Sequence, residues 1–267
     1  MAITTLDGLI GSLKVRAPWQ KTATRTTVAT GWFTMLDLAG NPGAGTLAGT
    51  STTAGVVPTD ATAGFPLLPS FGAGTGYLAN VEFGSTVACR IAIFDLLFKA
   101  GAYAFNANTA LSSQPSYLGR IPGGTGADTA GCTEIWAEMV TAATGNQAVN
   151  VTYTNEAGTA SRTTGATGIG AAPTVGRCWQ LPLQAGDYGV QTVTNVAGTV
   201  ATAGTFNVLV MRPLWQGRVI AANFGDLHDY LRVGLPQIFE TSALYVLISA
   251  DGTSSGLPEM EMTVAVG

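Results

Sequence analysis

Residues 149–164, VNVTYTNEAGTASRTT, decide the fold class. Val149, Val151 and Tyr153 alternate with Asn150, Thr152 and Thr154, a period of two that sends alternate side chains to opposite faces of a strand. NEAG then supplies a turn into TASRTT, so the segment reads as a β-hairpin. The same alternation recurs in Phe206, Val208 and Val210 around Asn207, and in Leu244, Val246 and Ile248 around Tyr245 and Ser249. It recurs again in Trp179, Leu181 and Leu183. Met260, Met262, Val264 and Val266 alternate with Glu259, Glu261, Thr263 and Ala265, which predicts a final strand with one wet face. Many short strands separated by Gly-rich turns specify an all-β chain, an antiparallel β-sandwich of jelly-roll type. No internal repeat of fixed period points to a solenoid or propeller.

Composition agrees. The 267 residues suffice to bury roughly three quarters of the unfolded chain's surface without covalent staples. Charged residues make up 10%, against about 25% in an ordinary soluble domain, while 35 glycines and 12 prolines provide turns. A net charge of -4 argues against a nucleic-acid partner. Cys89, Cys132 and Cys178 lie far apart with no C-x-x-C spacing, so the expectation is three reduced, buried thiols and no metal site. The start, MAITTLDGLIGSLKV, lacks the basic segment of a signal peptide, which predicts a protein made in the cytoplasm. Arg90, Asp95 and Lys99 interrupt the most apolar run, VACRIAIFDLLFKAGAYAF, so no membrane partner is expected.

Residues 1–25 stand apart from the domain formed by 26–267. Lys14, Arg16, Lys21 and Arg25 face only Asp7 on an otherwise acidic chain. LDGLIGSL predicts a short helical turn with Leu6, Leu9, Ile10 and Leu13 on one side, and Pro18 with Trp19 then turns the chain. Two readings are open: an ordinary terminal segment docked on its own domain, or an extended arm. In the second, Lys14, Arg16, Trp19, Lys21 and Arg25 contact another protein, and removal of residues 1–25 leaves a folded β domain. The Gly/Ala/Thr-rich stretch 40–76 is either an extended excursion that packs on a neighbour or a mobile loop. VACRIAIFDLLFKAG reads as a strand running into a short helix, with Asp95 and Lys99 spaced i,i+4. In NFGDLHDYLRVGLPQ a second short helix is expected, with Asp226 as N-cap, Asp229 in its first turn and Gly234 as C-cap.

The sequence carries no motif for a catalytic, cofactor-binding or metal site. The single histidine, His228, has no G-x-S-x-G serine to serve, and Asp226, His228 and Asp229 do not share one helical face. Glu134 and Glu138 could supply a glycosidase pair, but in TEIWAEMVTA two acids on the solvent face of a strand is the simpler account. GAGTGY and GGTGAD lack the G-K-[ST] of a phosphate loop. Five tryptophans leave a glycan-stacking module open as an alternative.

Several phrases resemble tailed-bacteriophage virion proteins of the head decoration or cement type. They are CTEIWAEMVTAATGNQAVNVTYTNEAGTASRTT (132–164), VGRCWQLPLQAGDYGV (175–190), AGTFNVLVMRPLWQGRV (203–219), ANFGDLHDYLRVGLPQIFETSALYVLI (222–248) and GLPEMEM (256–262), with MAITTLDGLI at the start. The resemblance implies a non-enzymatic β-sandwich protein on the capsid surface of the virion. Its implied partners are the major capsid protein and copies of itself, as a homotrimer. A tail or baseplate component and a receptor- or glycan-binding module are the alternatives.

Overall fold

The computed structural model describes residues 3–49, 51–171, 173–199 and 203–267. Met1, Ala2 and Thr50, which fall in the expected arm and the 40–76 stretch, lie outside the described residues. The chain is all-β and antiparallel, as its alternation demands, and its strands form three layers.

The middle layer is a closed six-stranded barrel. Thr205–Val219 pairs with Glu134–Thr141, followed round the ring by Arg177–Leu181, Trp32–Thr34, Leu244–Ala250 and Cys89–Ala104. Cys89–Ala104 then pairs with Thr205–Val219 and closes the ring, while Ser51–Val56 is added to its other edge. The first flanking sheet runs Phe224–His228, Gly76–Ser85, Pro258–Val266, Leu13–Lys21 and Gly40–Asn41, with Gln237–Ile238 also on Gly76–Ser85. The second runs Arg162–Thr163, Asn146–Asn155, Val190–Gly198 and Asn108–Ala110, with Thr167–Ala171 on Asn146–Asn155.

Three cores follow from this layering. Val15, Trp19, Phe83 and Met262 of the first sheet pack on Ile91, Val246 and Ile248 of the barrel wall. Val149, Val151 and Tyr153 of the second sheet pack on Ile135, Phe206 and Val208. Phe94, Trp136, Leu209, Met211, Tyr245 and Leu247 fill the barrel, together with Leu36, Leu47 and Phe65. A barrel strand covered on both sides has no wet face. That is why all seven residues of Leu244–Ala250 are buried, Tyr245 and Ser249 included.

Several expectations are corrected. Residues 13–21 are no separate arm: Leu13–Lys21 lies between two strands of the first sheet, with Val15, Ala17, Trp19 and Lys21 buried in alternation. The physical reason is the period-two pattern, which Pro18 tolerates because the second neighbour, Gly40–Asn41, pairs only with Gln20 and Lys21, and among the described residues none pairs with Pro18 on that side. The terminal helix, Leu6–Gly11, is capped by the Thr5 side chain, yet only Leu9 is buried; Leu6, Ile10 and Leu13 are exposed. VACRIAIFDLLFKAG contains no helix; from Cys89 onward it belongs to one 16-residue strand whose ladder with Thr205–Val219 outweighs the i,i+4 spacing. The second helix is only Tyr230–Val233, capped by Asp229, because Asp226 is held in the sheet opposite Phe83; Gly234 ends it at φ 78°. Within 40–76, Leu47 and Phe65 enter the barrel core and Leu68 and Phe71 enter the first core, so this stretch packs on its own domain.

Candidate interaction surface

The outer face of the first sheet carries a concavity of about 970 Å3. Alternation builds it: Val81, Phe83, Met260 and Met262 point inward, so Glu82, Glu259 and Glu261 must point out. Glu82 and Glu261 are directly opposite in register, a like-charge pair that destabilises unless a cation intervenes. Arg16 is that cation. Its guanidinium grips both oxygens of Glu261, which lowers the carboxyl's pKa and raises its own. Gln20 donates to Glu259 at 3.4 Å. Phe224, Leu227 and Leu257 line the same concavity and are exposed.

At its rim, His228 is fixed by its neighbours. The Trp215 indole donates to Nδ1 at 3.0 Å, leaving Nε2 to face Asp226 at 3.6 Å. Phe83 and Trp215 meet the imidazole edge-on, with centroids 5.0 and 5.4 Å away. Asp226 also lies 3.5 Å from Arg232. This is a packed, positioned histidine in an aromatic corner. Among the described residues no group of His, Cys, Asp and Glu is arranged to hold a metal ion, and no helix is long and apolar enough to cross a membrane.

The five residues expected to make contacts are split by the sheet. Lys14 and Arg16 are exposed, the former bonding to Ser12 Oγ at 2.6 Å and to the Leu9 carbonyl at the end of the first helix. Trp19, Lys21 and Arg25 are buried. Lys21 lies over the Trp19 ring at 5.6 Å and donates to the carbonyls of Leu38 and Pro42 at 3.0 and 3.1 Å. Burial lowers its pKa to about 8. Arg25 pairs with Asp37 and donates to the Val175 carbonyl at 2.9 Å. These three stabilise the fold and offer little to a partner.

Glu134 and Glu138 are also separated by environment, and the solvent-face reading is corrected for Glu138. Glu134 is half-buried, accepts from the Trp136 indole at 2.8 Å, and has a pKa raised by burial. Glu138 is fully buried inside the barrel, because residues alternating with Ile135, Ala137 and Met139 face the barrel interior. Cys89 and Cys178 are buried free thiols and Cys132 is half-buried; burial raises the pKa of all three, Cys89 to about 11.

A second polar centre was missed in the sequence. Asp95 is fully buried and lies 3.0 Å from Arg120 and 3.3 Å from Arg212, while accepting from Ser242 Oγ at 2.8 Å and Ala243 N at 3.1 Å. Burial lowers the pKa of Arg120, which Asp95 opposes. The available signal was Asp95 and Arg212 inside the apolar runs IAIFDLL and NVLVMRPLW, where a charge requires a buried partner.

No protein-family model and no curated protein matches the chain. Among solved structures it is similar to the VP2 protein of infectious bursal disease virus in a subviral particle, at 9% identity and a TM-score of 0.21, covering 95% of this chain and 79% of that one. A T=1 particle derived from the same virus matches at 8% identity and a TM-score of 0.19, covering 95% and 76%. At these TM-scores the likeness says nothing about function.

Proposed function

We propose that this protein is a structural component of a tailed-phage virion, a decoration or cement protein that binds the assembled capsid lattice from outside and works as a homotrimer. The observation that carries this reading is the outer face of the first sheet, where Phe224, Leu227 and Leu257 stand exposed around Glu82, Glu259 and Glu261 on a rigid backing. Apolar anchors with a charged surround suit a protein contact. The phrases at 132–164, 175–190, 203–219, 222–248 and 256–262 that resemble decoration proteins supply the kind of partner, the major capsid protein. A protein that binds the assembled lattice and not the free subunit opposes capsid loss by mass action, and three linked copies multiply the effect.

The copy number per major capsid subunit in gradient-purified virions, measured by quantitative mass spectrometry, tests the reading. A fixed, lattice-like ratio is expected, with binding lost in Leu227→Glu protein added to undecorated capsids. A handful of copies per particle moves the protein to the tail or a vertex, and absence from virions overturns the proposal.

A further inference from the structure

Inside the barrel, three side chains of complementary reactivity meet away from water. Lys99 stands opposite Leu209 across the seam that closes the barrel. Asn207, two residues earlier on that strand, stands opposite Glu138. Glu138 and Asn207 are fully buried and Lys99 is 7% exposed. Glu138 Oε2 accepts from Asn207 Nδ2 at 2.7 Å and lies 3.6 Å from Lys99 Nζ, so one carboxylate oxygen touches both amine and carboxamide. The Tyr245 hydroxyl donates to Oε1. Lys99 Nζ also donates to the Thr46 carbonyl at 3.0 Å, and Asn207 Nδ2 to the next carbonyl, Leu47, at 2.6 Å. Two consecutive carbonyls thus hold the amine and the amide side by side. Asn207 Oδ1 is buried and has no hydrogen-bond partner among the described residues, a deficit that calls for a reason in a dry core. Phe94, Trp136 and Leu209 of the same core keep bulk water away.

We propose that Lys99 and Asn207 become joined by an intramolecular isopeptide bond, with Glu138 as the catalytic acid-base. The Lys99 ammonium gives one proton to the Glu138 carboxylate, and the free amine attacks Asn207 Cγ. The Nζ–Cγ bond forms and the Cγ–Nδ2 bond breaks. The departing nitrogen takes one proton from the attacking amine and one from Glu138, and leaves as ammonium. A lysine cation and a primary amide become a secondary amide and ammonium, the carboxylate is regenerated, and no atom changes oxidation state. A cavity of about 270 Å3, lined by Thr46, Val57, Phe65 and Lys99, adjoins the amine and has room for the ammonium released. The bond would tie the two longest strands together at the barrel seam and enclose every strand of the second sheet in one covalent loop. Such a closure suits a protein that holds a shell together, but the chemistry does not depend on that role.

Intact-mass spectrometry of the folded full chain tests this, followed by peptide mapping. The expected mass is that of the sequence less one ammonia, with a branched peptide joining the Lys99 and Asn207 segments. Lys99→Arg and Glu138→Gln proteins are expected at their full sequence masses; should either fail to fold, the branched peptide in the unaltered chain decides. An unmodified mass after prolonged incubation of the folded protein overturns the proposal. So does loss of water mapped to a Lys99–Glu138 amide, or loss of ammonia mapped to any other residue.

Discussion

Two carboxylates paired to arginine occupy opposite extremes of this molecule. Glu261 meets Arg16 on the outer face of the first sheet, where the arginine side chain is 71% exposed. Asp95 meets Arg120 and Arg212 at the barrel wall, where none of the three side chains exceeds 6%. The chemistry is the same and the consequence is opposite. In water the pair is screened and worth little, so its charges remain free for a partner. In the core, each arginine depends on the aspartate, and losing it strands two cations. The outer face is where contacts can evolve without cost to the fold, and the buried clusters are where they cannot.

The largest test of this contrast is deletion of residues 1–25. It removes Val15, Ala17 and Trp19 from the first core and leaves Pro258–Val266 without one neighbour. Loss of a cooperative unfolding transition is expected in urea, monitored by circular dichroism; a folded truncation would restore the arm. Next, Asp95→Asn is expected to cost about 3–5 kcal/mol in urea unfolding, because Arg120 and Arg212 lose their shared carboxylate. A cost as small as that of a surface pair would erase the comparison.

A pH series sharpens it. Lys21 is held at about 8 in the folded protein against an ordinary 10.5, so the native state binds fewer protons in that window. Stability is therefore expected to rise between about pH 8 and about pH 10, and Lys21→Met protein should lack the rise. Asp187 gives a pH dependence of the same sign in acid, although there the lowered pKa reflects a favoured charged form. Arg162, Tyr153 and Asn155 hold it at about 2 against 3.8, so its contribution is present above the ordinary value and disappears as the pH falls toward 2. An Asp187→Asn protein that keeps the full acid transition would show that other groups dominate it. The smallest effect belongs to Arg16→Ala, expected to leave the urea unfolding midpoint essentially where it is, because an exposed pair is screened by water and salt. A clear drop would mean that the repulsion between Glu82 and Glu261 reaches into the fold.

The strands most easily read were those with one wet face. Val149, Val151 and Tyr153 face the second core while Asn150, Thr152 and Thr154 remain half-buried, so the sequence alternates as the environment does. In Pro258–Val266 the rule holds as far as Thr263 and fails at Ala265, which Leu9 of the terminal helix covers. Cys89–Ala104 was ambiguous because a strand buried on both sides is a continuous apolar run, indistinguishable by period from a buried helix. The segment 13–21 alternates in Val15, Ala17, Trp19 and Lys21, but Pro18 and the basic residues Lys14, Arg16 and Lys21 obscure a strand pattern that rests on one lysine and one alanine among its inward positions. Of the expected contact residues only Lys14 and Arg16 lie at the surface, and the groove itself was not legible, since Glu82, Glu259 and Phe224 are far apart in the chain.

By itself the amino-acid sequence determined the backbone regime: period-two alternation and Gly-rich turns leave no choice but antiparallel sheet. It also determined that charge would be scarce and therefore consequential wherever it was buried. Only the tertiary structure decided that Cys89–Ala104 and Thr205–Val219 close a barrel. Closure gives the sheet a second interior, and that interior turns Glu138, Lys99 and Asn207 from polar positions on strands into neighbours. Local patterning encodes which way a side chain points, but long-range pairing decides whether water or another core lies there.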